Sequence, residues 1–126
     1  MRLPVRRRLR LFRALPTAAA LLAAAACRPS DPGERVWLRK CSACHGRDGR
    51  GDTRFAAGRP YTVLTDDLWK HGGDLASIRR LIAGGDPGSP MPAYEGRLTS
   101  EEIDAVSQHV WKLWARAHGT PASEAK

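Results

Sequence analysis

Cys41, Cys44 and His45 stand within the short stretch "KCSACHG", two soft sulfur donors followed at once by an imidazole. Three chemistries use such a set. A structural zinc site needs four N/S ligands in closed tetrahedral geometry, and no second CxxC or HxxxH follows to complete it. A thioredoxin-like redox dithiol sits in a βαβ setting, yet almost no alternating strand pattern is present. The third is CxxCH, the c-type haem attachment signature. Two thiols one helical turn apart can add to the two haem vinyl groups as thioethers. The histidine after the second thiol is then carried beneath the iron as a proximal ligand.

If His45 takes one face of an iron, the ligand on the other face sets the chemistry: methionine or histidine makes a closed electron relay, and an open face suits catalysis or gas binding. The chain has one methionine besides Met1, Met91 in "GGDPGSPMPAYEG". Pro90 and Pro92 flank it, and a residue before proline is pushed out of the helical region. With Gly84, Gly85 and Gly88 upstream, Met91 lies on a stiff loop suited to presenting its thioether. His71 beside two glycines reads as solvent-facing. His109 is placed on the C-terminal helix opposite its apolar stripe, and His118 at that helix's frayed end.

The elements that must position these groups occupy only part of the 126 residues. Six arginines (2, 6, 7, 8, 10 and 13) precede the 13-residue uncharged run "ALPTAAALLAAAA". This is a basic n-region, an apolar h-region and a small-residue cleavage site, so residues 1–26 are expected to be a secretory signal. The run is short of the roughly 17–25 residues that a membrane-spanning helix requires. "LLAAAAC" resembles a lipoprotein lipobox, with Ala24 where leucine is usual, which makes Cys27 a candidate acylated N-terminus; ordinary cleavage leaving a free thiol is the alternative. After cleavage 15 basic residues face 13 acidic ones, +2 in place of the +8 of the whole chain. No dense basic patch remains for nucleic acid. A core of about 100 residues with few large aromatics is expected to borrow stability from a cofactor.

Four helical segments are expected. The first runs about 32–44, with Asp31 as N-cap, Pro32 at the first position and Glu34 placed for a capping box; Trp37, Cys41 and Cys44 share one face. "GRDGRGDTR" ends it as a polar turn. A short helix follows Thr65 in "TDDLWKH". A third begins after Asp74, carries Leu75, Ile78 and Ile82 on one side, and stops at Gly84-Gly85. The last opens on a Thr99/Glu102 capping box and carries a stripe of Ile103, Val106, Val110, Leu113 and Ala117. Residues 27–32 read as a tether, 33–118 as the domain and 119–126 as a disordered tail.

The order of capped helix, CxxCH, glycine-rich loop, short helices, MP loop and amphipathic C-terminal helix resembles a class I cytochrome c, an all-α fold around one haem. "LTDDLWKHGGDLASIRRLIAGGDPGSPMPAY" is similar to the haem domains of the dihaem subunit of cbb-type cytochrome oxidases. The resemblance covers about residues 33–116. It implies one covalent haem c, with Cys41 and Cys44 as thioether residues, His45 as proximal and Met91 as distal iron ligand. It also implies packing of Val36 and Trp37 near Val110 and Leu113. The family usually has proline at the position of Thr62, where the backbone accepts a hydrogen bond from the proximal histidine; here the proline is Pro60. Arg59, Tyr61, Trp69 and Arg97 are candidates to hold the haem propionates.

The expected function is that of an exported monohaem carrier of single electrons, with no substrate turnover of its own. Transient redox proteins are the expected partners, together with a membrane surface reached through lipid on Cys27 in the periplasm of a Gram-negative bacterium. No nucleic acid and no small-molecule substrate are expected. A haem subunit of a dehydrogenase or reductase complex, and a haem sensor or enzyme with an open distal face, are the alternatives.

Overall fold

The computed structural model describes residues 31–119. The expected leader (residues 1–26), Cys27 with residues 28–30 of the expected tether, and the expected tail after residue 119 lie outside the described residues, whereas Asp31 and Pro32 of that tether belong to the first helix. Helix α1 spans Pro32–Lys40 and starts as its sequence dictates: the Asp31 carboxylate accepts the Gly33 and Glu34 amides at 2.7 and 3.1 Å. Pro32 costs nothing at a position whose N–H has no helical acceptor. Helix α2, Ser42–His45, follows after a break at Cys41. There the Ser42 hydroxyl donates to the Leu38 carbonyl four residues back at 3.1 Å, a contact that opens a helix. The expected single helix over 32–44 is therefore two segments hinged on the first thiol.

Helix α3, Leu75–Gly84, is capped by Asp74 and ends on Gly85 at φ 70°. Helix α4, Ser100–Ala117, opens on the expected reciprocal capping box of Thr99 and Glu102. The segment after Thr65 is not a helix but a run of bends and turns. The Asp66 carboxylate takes the Leu68 amide at 3.0 Å, and the Asp67 carbonyl takes the Trp69 amide at 3.1 Å. These local bonds occupy groups that a helical ladder would need. A single 3-10 turn, Pro60–Thr62, lies in the loop before it. Among the described residues there are no strands, so the all-α expectation holds.

Helix α4 packs against both α1 and α3. Val36 and Trp37 of α1, Ile78 and Ile82 of α3, and Ile103, Val106, Val110, Trp111, Leu113 and Ala115 of α4 form one core. The expected meeting of Val36 and Trp37 with Val110 and Leu113 in that core is thus observed. Truncating Trp37, 1% exposed, would cost about 3–5 kcal/mol.

Gly33 sets the α1–α4 approach, because a Cβ there would lie 2.2 Å from the Ala105 carbonyl oxygen. Serving two neighbours also widens the buried face of α4. Ser107, His109 and Ala115 are buried beside the expected stripe, and Ala117 at its end is exposed. The placement of His109 opposite the stripe is therefore corrected: it is 5% exposed and packs on Trp37.

Candidate functional site

The attachment motif is held from both sides. On one side the Trp37 indole lies against His45, ring centroids 5.8 Å apart, and its Nε1–H donates to the Arg47 carbonyl at 3.0 Å. On the other, the turn after the motif closes on itself. Gly46 at φ 78° ends α2, and the Gly51 amide donates to the His45 carbonyl at 2.9 Å. A left-handed residue is required at Gly46, which glycine adopts without steric penalty.

His45 Nδ1 lies 2.8 Å from the Thr62 carbonyl oxygen. A carbonyl can only accept, so Nδ1 carries the hydrogen and Nε2 of the neutral ring keeps its lone pair. Burial pushes the imidazole below its ordinary value of 6.5, against the opposing pull of the Thr62 bond. The ring is thus neutral at neutral pH and fixed in one tautomer. This is how a metal-ligating histidine is oriented by a partner behind it. The acceptor is the residue at the position expected from the resemblance, with threonine in place of proline, and not Pro60.

Cys41 and Cys44 are both free thiols, Cys41 half-buried and Cys44 exposed. Burial, with Cys44 adding to it, pushes the Cys41 thiol up to about 12. A redox dithiol needs the opposite, a thiolate favoured near neutral pH. Among the described residues no three His, Cys, Asp or Glu side chains gather as a metal-holding group, so the donor set for closed zinc is not assembled. The donors present fit a haem c: two thiols and a neutral imidazole with a free Nε2.

Met91 is half-buried and packs against the main core, as does Cys41. Its loop is fastened to the end of α3. The Tyr94 amide donates to the Ile82 and Ala83 carbonyls, and the Glu95 amide to Ala83, each at 3.1 Å. Gly85 lets the two strands of chain meet, since a Cβ there would lie 2.5 Å from the Ala93 nitrogen and 3.0 Å from the Met91 oxygen. The Tyr94 hydroxyl donates to the Lys40 carbonyl at 3.0 Å, which ties the methionine loop to the residue before Cys41. Burial, then the two thiols, raise the Tyr94 phenol above its ordinary value. Tyr94, which closes this tie, carries no expectation in the sequence, because its partner Lys40 lies 54 positions away.

The remaining candidates are not gathered so clearly. Arg59, Tyr61 and Arg97 are exposed and Trp69 is half-buried against the core. The Arg59 guanidinium donates to the Phe55 carbonyl. His71 is exposed, 3.5 Å from an Asp86 oxygen, and His118 packs flat on Trp114, ring centroids 4.5 Å apart. No helix among the described residues is long and apolar enough to cross a membrane.

The family model described as "Cytochrome C oxidase, cbb3-type, subunit III" matches residues 28–110. The cbb3-type cytochrome c oxidase subunit FixP of Bradyrhizobium diazoefficiens is 38% identical over 81 residues, 64% of this chain and 26% of that protein. The corresponding subunit CcoP of Rubrivivax gelatinosus is 35% identical over 92 residues, 73% of this chain and 28% of that protein. The chain therefore matches only about a quarter of the length of these relatives. No solved structure matches it. With the match spanning α1 to most of α4, the chain belongs to the cbb3-type cytochrome c oxidase subunit III family of c-type cytochromes.

Proposed function

We propose that this chain is an exported carrier of single electrons that binds one haem c through Cys41, Cys44, His45 and Met91. The observation that carries the reading is the His45–Thr62 bond, which leaves a neutral imidazole with Nε2 free directly after two unpaired thiols. When bound, a haem c supplies one-electron iron chemistry.

Each residue has a defined part. Cys41 and Cys44 fix the group to the hinge between α1 and α2. His45 would offer the Nε2 lone pair to the iron, while its Nδ1–H donates to the Thr62 carbonyl that holds the ring. Met91 offers a soft neutral sulfur, which favours the reduced iron and raises the potential above that of a bis-histidine site. Trp37 and the α4 core exclude water behind the imidazole. Lipid on Cys27 would place the domain close to a periplasmic bilayer, because the stretch from Cys27 to Pro32 reaches at most about 20 Å.

A second reading is a haem subunit of an oxidoreductase complex, favoured by the relatives, which are oxidase subunits. Co-purification of the native chain with larger oxidase subunits would select it over a free carrier.

Mass spectrometry of the chain expressed with haem-attachment machinery tests the core of the proposal. One haem mass on the Cys41–Cys44 peptide and acyl chains on Cys27 are the expected results. The oxidised protein should show a sulfur-to-iron charge-transfer band, and its reduced form should resist carbon monoxide. A missing band with ready carbon monoxide binding would replace the carrier by an open-faced sensor or enzyme.

A further inference from the structure

Both main-chain polar groups of Met91 lead to one residue, Asp86. The Met91 carbonyl accepts the Asp86 amide at 3.1 Å. The Met91 amide donates to Ser89 Oγ at 3.2 Å, and the Ser89 amide in turn donates to the Asp86 carbonyl at 2.9 Å. The Asp86 carboxylate is equally engaged. Oδ1 accepts the Gly88 amide at 3.3 Å, while Oδ2 lies 2.9 Å from Lys70 Nζ and 3.5 Å from His71 Nε2.

Lys70 and His71 belong to a different part of the chain, the turn that ends at Gly72-Gly73. The Asp86 side chain is only 12% exposed, against 39% for Lys70 and 37% for His71. A short, well-shielded carboxylate of this kind carries geometric information that a pair of mobile surface charges does not. The loop itself has no helical or strand ladder, and its prolines cannot donate. Its conformation therefore depends on a few ties, and those to the main chain of Met91 itself run through Asp86.

We infer that Asp86 is the positioning residue for Met91, joining the methionine loop to the Lys70–His71 turn so that the sulfur is held ready for its metal. This rests on the reading of Met91 as the second iron ligand. Loosening the tie raises the fraction of molecules with the loop open. An added small ligand gains apparent affinity in proportion to that open fraction.

The test is an imidazole titration of the oxidised, haem-loaded full chain, followed by loss of the sulfur-to-iron band. Asp86→Asn keeps the backbone bonds and removes the charge. It should tighten apparent imidazole binding by roughly three- to tenfold. Lys70→Gln with His71→Gln, two exposed positions, should produce the same rise, and combining all three substitutions should add nothing further. Wild-type affinity in Asp86→Asn overturns the inference. So does a rise that Lys70→Gln with His71→Gln fails to reproduce, since the effect would then not pass through that turn. A wild-type protein with no sulfur-to-iron band would instead sink the ligand role of Met91 itself.

Discussion

The imidazole of His109 packs against the indole of Trp37, ring centroids 5.6 Å apart, with its Nε2 buried and unpartnered. A buried polar atom without a partner costs about 1–3 kcal/mol. His109→Phe keeps a ring against Trp37 and removes the orphan. Chemical denaturation of this variant should show a gain of about 1–2 kcal/mol.

The same histidine should make stability pH-dependent. Burial pushes its pKa below 6.5, with Asp31 opposing and Arg116 adding to the fall; Glu34 opposes and Lys112 adds more weakly. A depressed folded value means stability is complete above about 6.5 and declines as pH falls toward the folded value. Wild type should thus lose more stability between pH 7 and pH 5 than His109→Phe does. Equal slopes would place the titration elsewhere, His45 being the group with the same sign.

Gly33→Ala forces a Cβ to within 2.2 Å of main-chain oxygen in α4. Backbone cannot swing aside as a side chain can, so the two helices must separate. A loss of about 2–4 kcal/mol is expected, read as a lower midpoint in denaturant with helix content preserved at low denaturant.

Gly85→Ala meets two obstacles, a φ of 70° and the Ala93 nitrogen 2.5 Å from the new Cβ. Strain of about 1–3 kcal/mol falls on the turn that seats Met91. The haem-loaded variant should lose most of its sulfur-to-iron band while α1 and α4 stay intact by circular dichroism. A full-strength band would show that the methionine loop tolerates displacement.

Asp31 caps α1 and also meets Lys112 Nζ at 3.2 Å. Burial alone would raise its pKa, but the Glu34 amide, Lys112 and the Gly33 amide outweigh it and bring the value below 3.8. The charge-dependent part of the cap is therefore complete above pH 3.8 and is lost as pH falls through the lowered value. Asp31→Ala should cost about 1 kcal/mol at neutral pH and less in strong acid, where the charge-dependent part of the cap is gone. Asp31→Asn, an equally good cap, should lie close to wild type and titrate less.

Much of the fold was legible because its signals are local. Asp31, Asp74 and Thr99 each mark a helix start through a side chain that reaches its own backbone, and Gly85 marks a stop. The segment after Thr65 departs from the expected helix because Asp66 and Asp67 suit a helix start and a tight turn alike. His109 departs from its expected place for a different reason. One stripe describes a helix with one neighbour, whereas α4 has two, and the second neighbour was invisible in periodicity.

The site divides the same way. Cys41, Cys44 and His45 announce themselves by spacing, and Met91 by the prolines around it. Tyr94 reaches Lys40 across 54 positions, and no local pattern reports such a bond. Asp86 looked like an ordinary turn residue, since its importance lies in what Lys70 and His71 bring to it.

The partner of His45 is a carbonyl of the main chain at Thr62, where the resembling family has proline. An acceptor that belongs to the peptide unit survives any exchange of the side chain that leaves the loop's path intact. The position is therefore free to vary while the imidazole stays aligned. A function kept in the backbone's course does not depend on which side chain stands there, and it is robust for that reason.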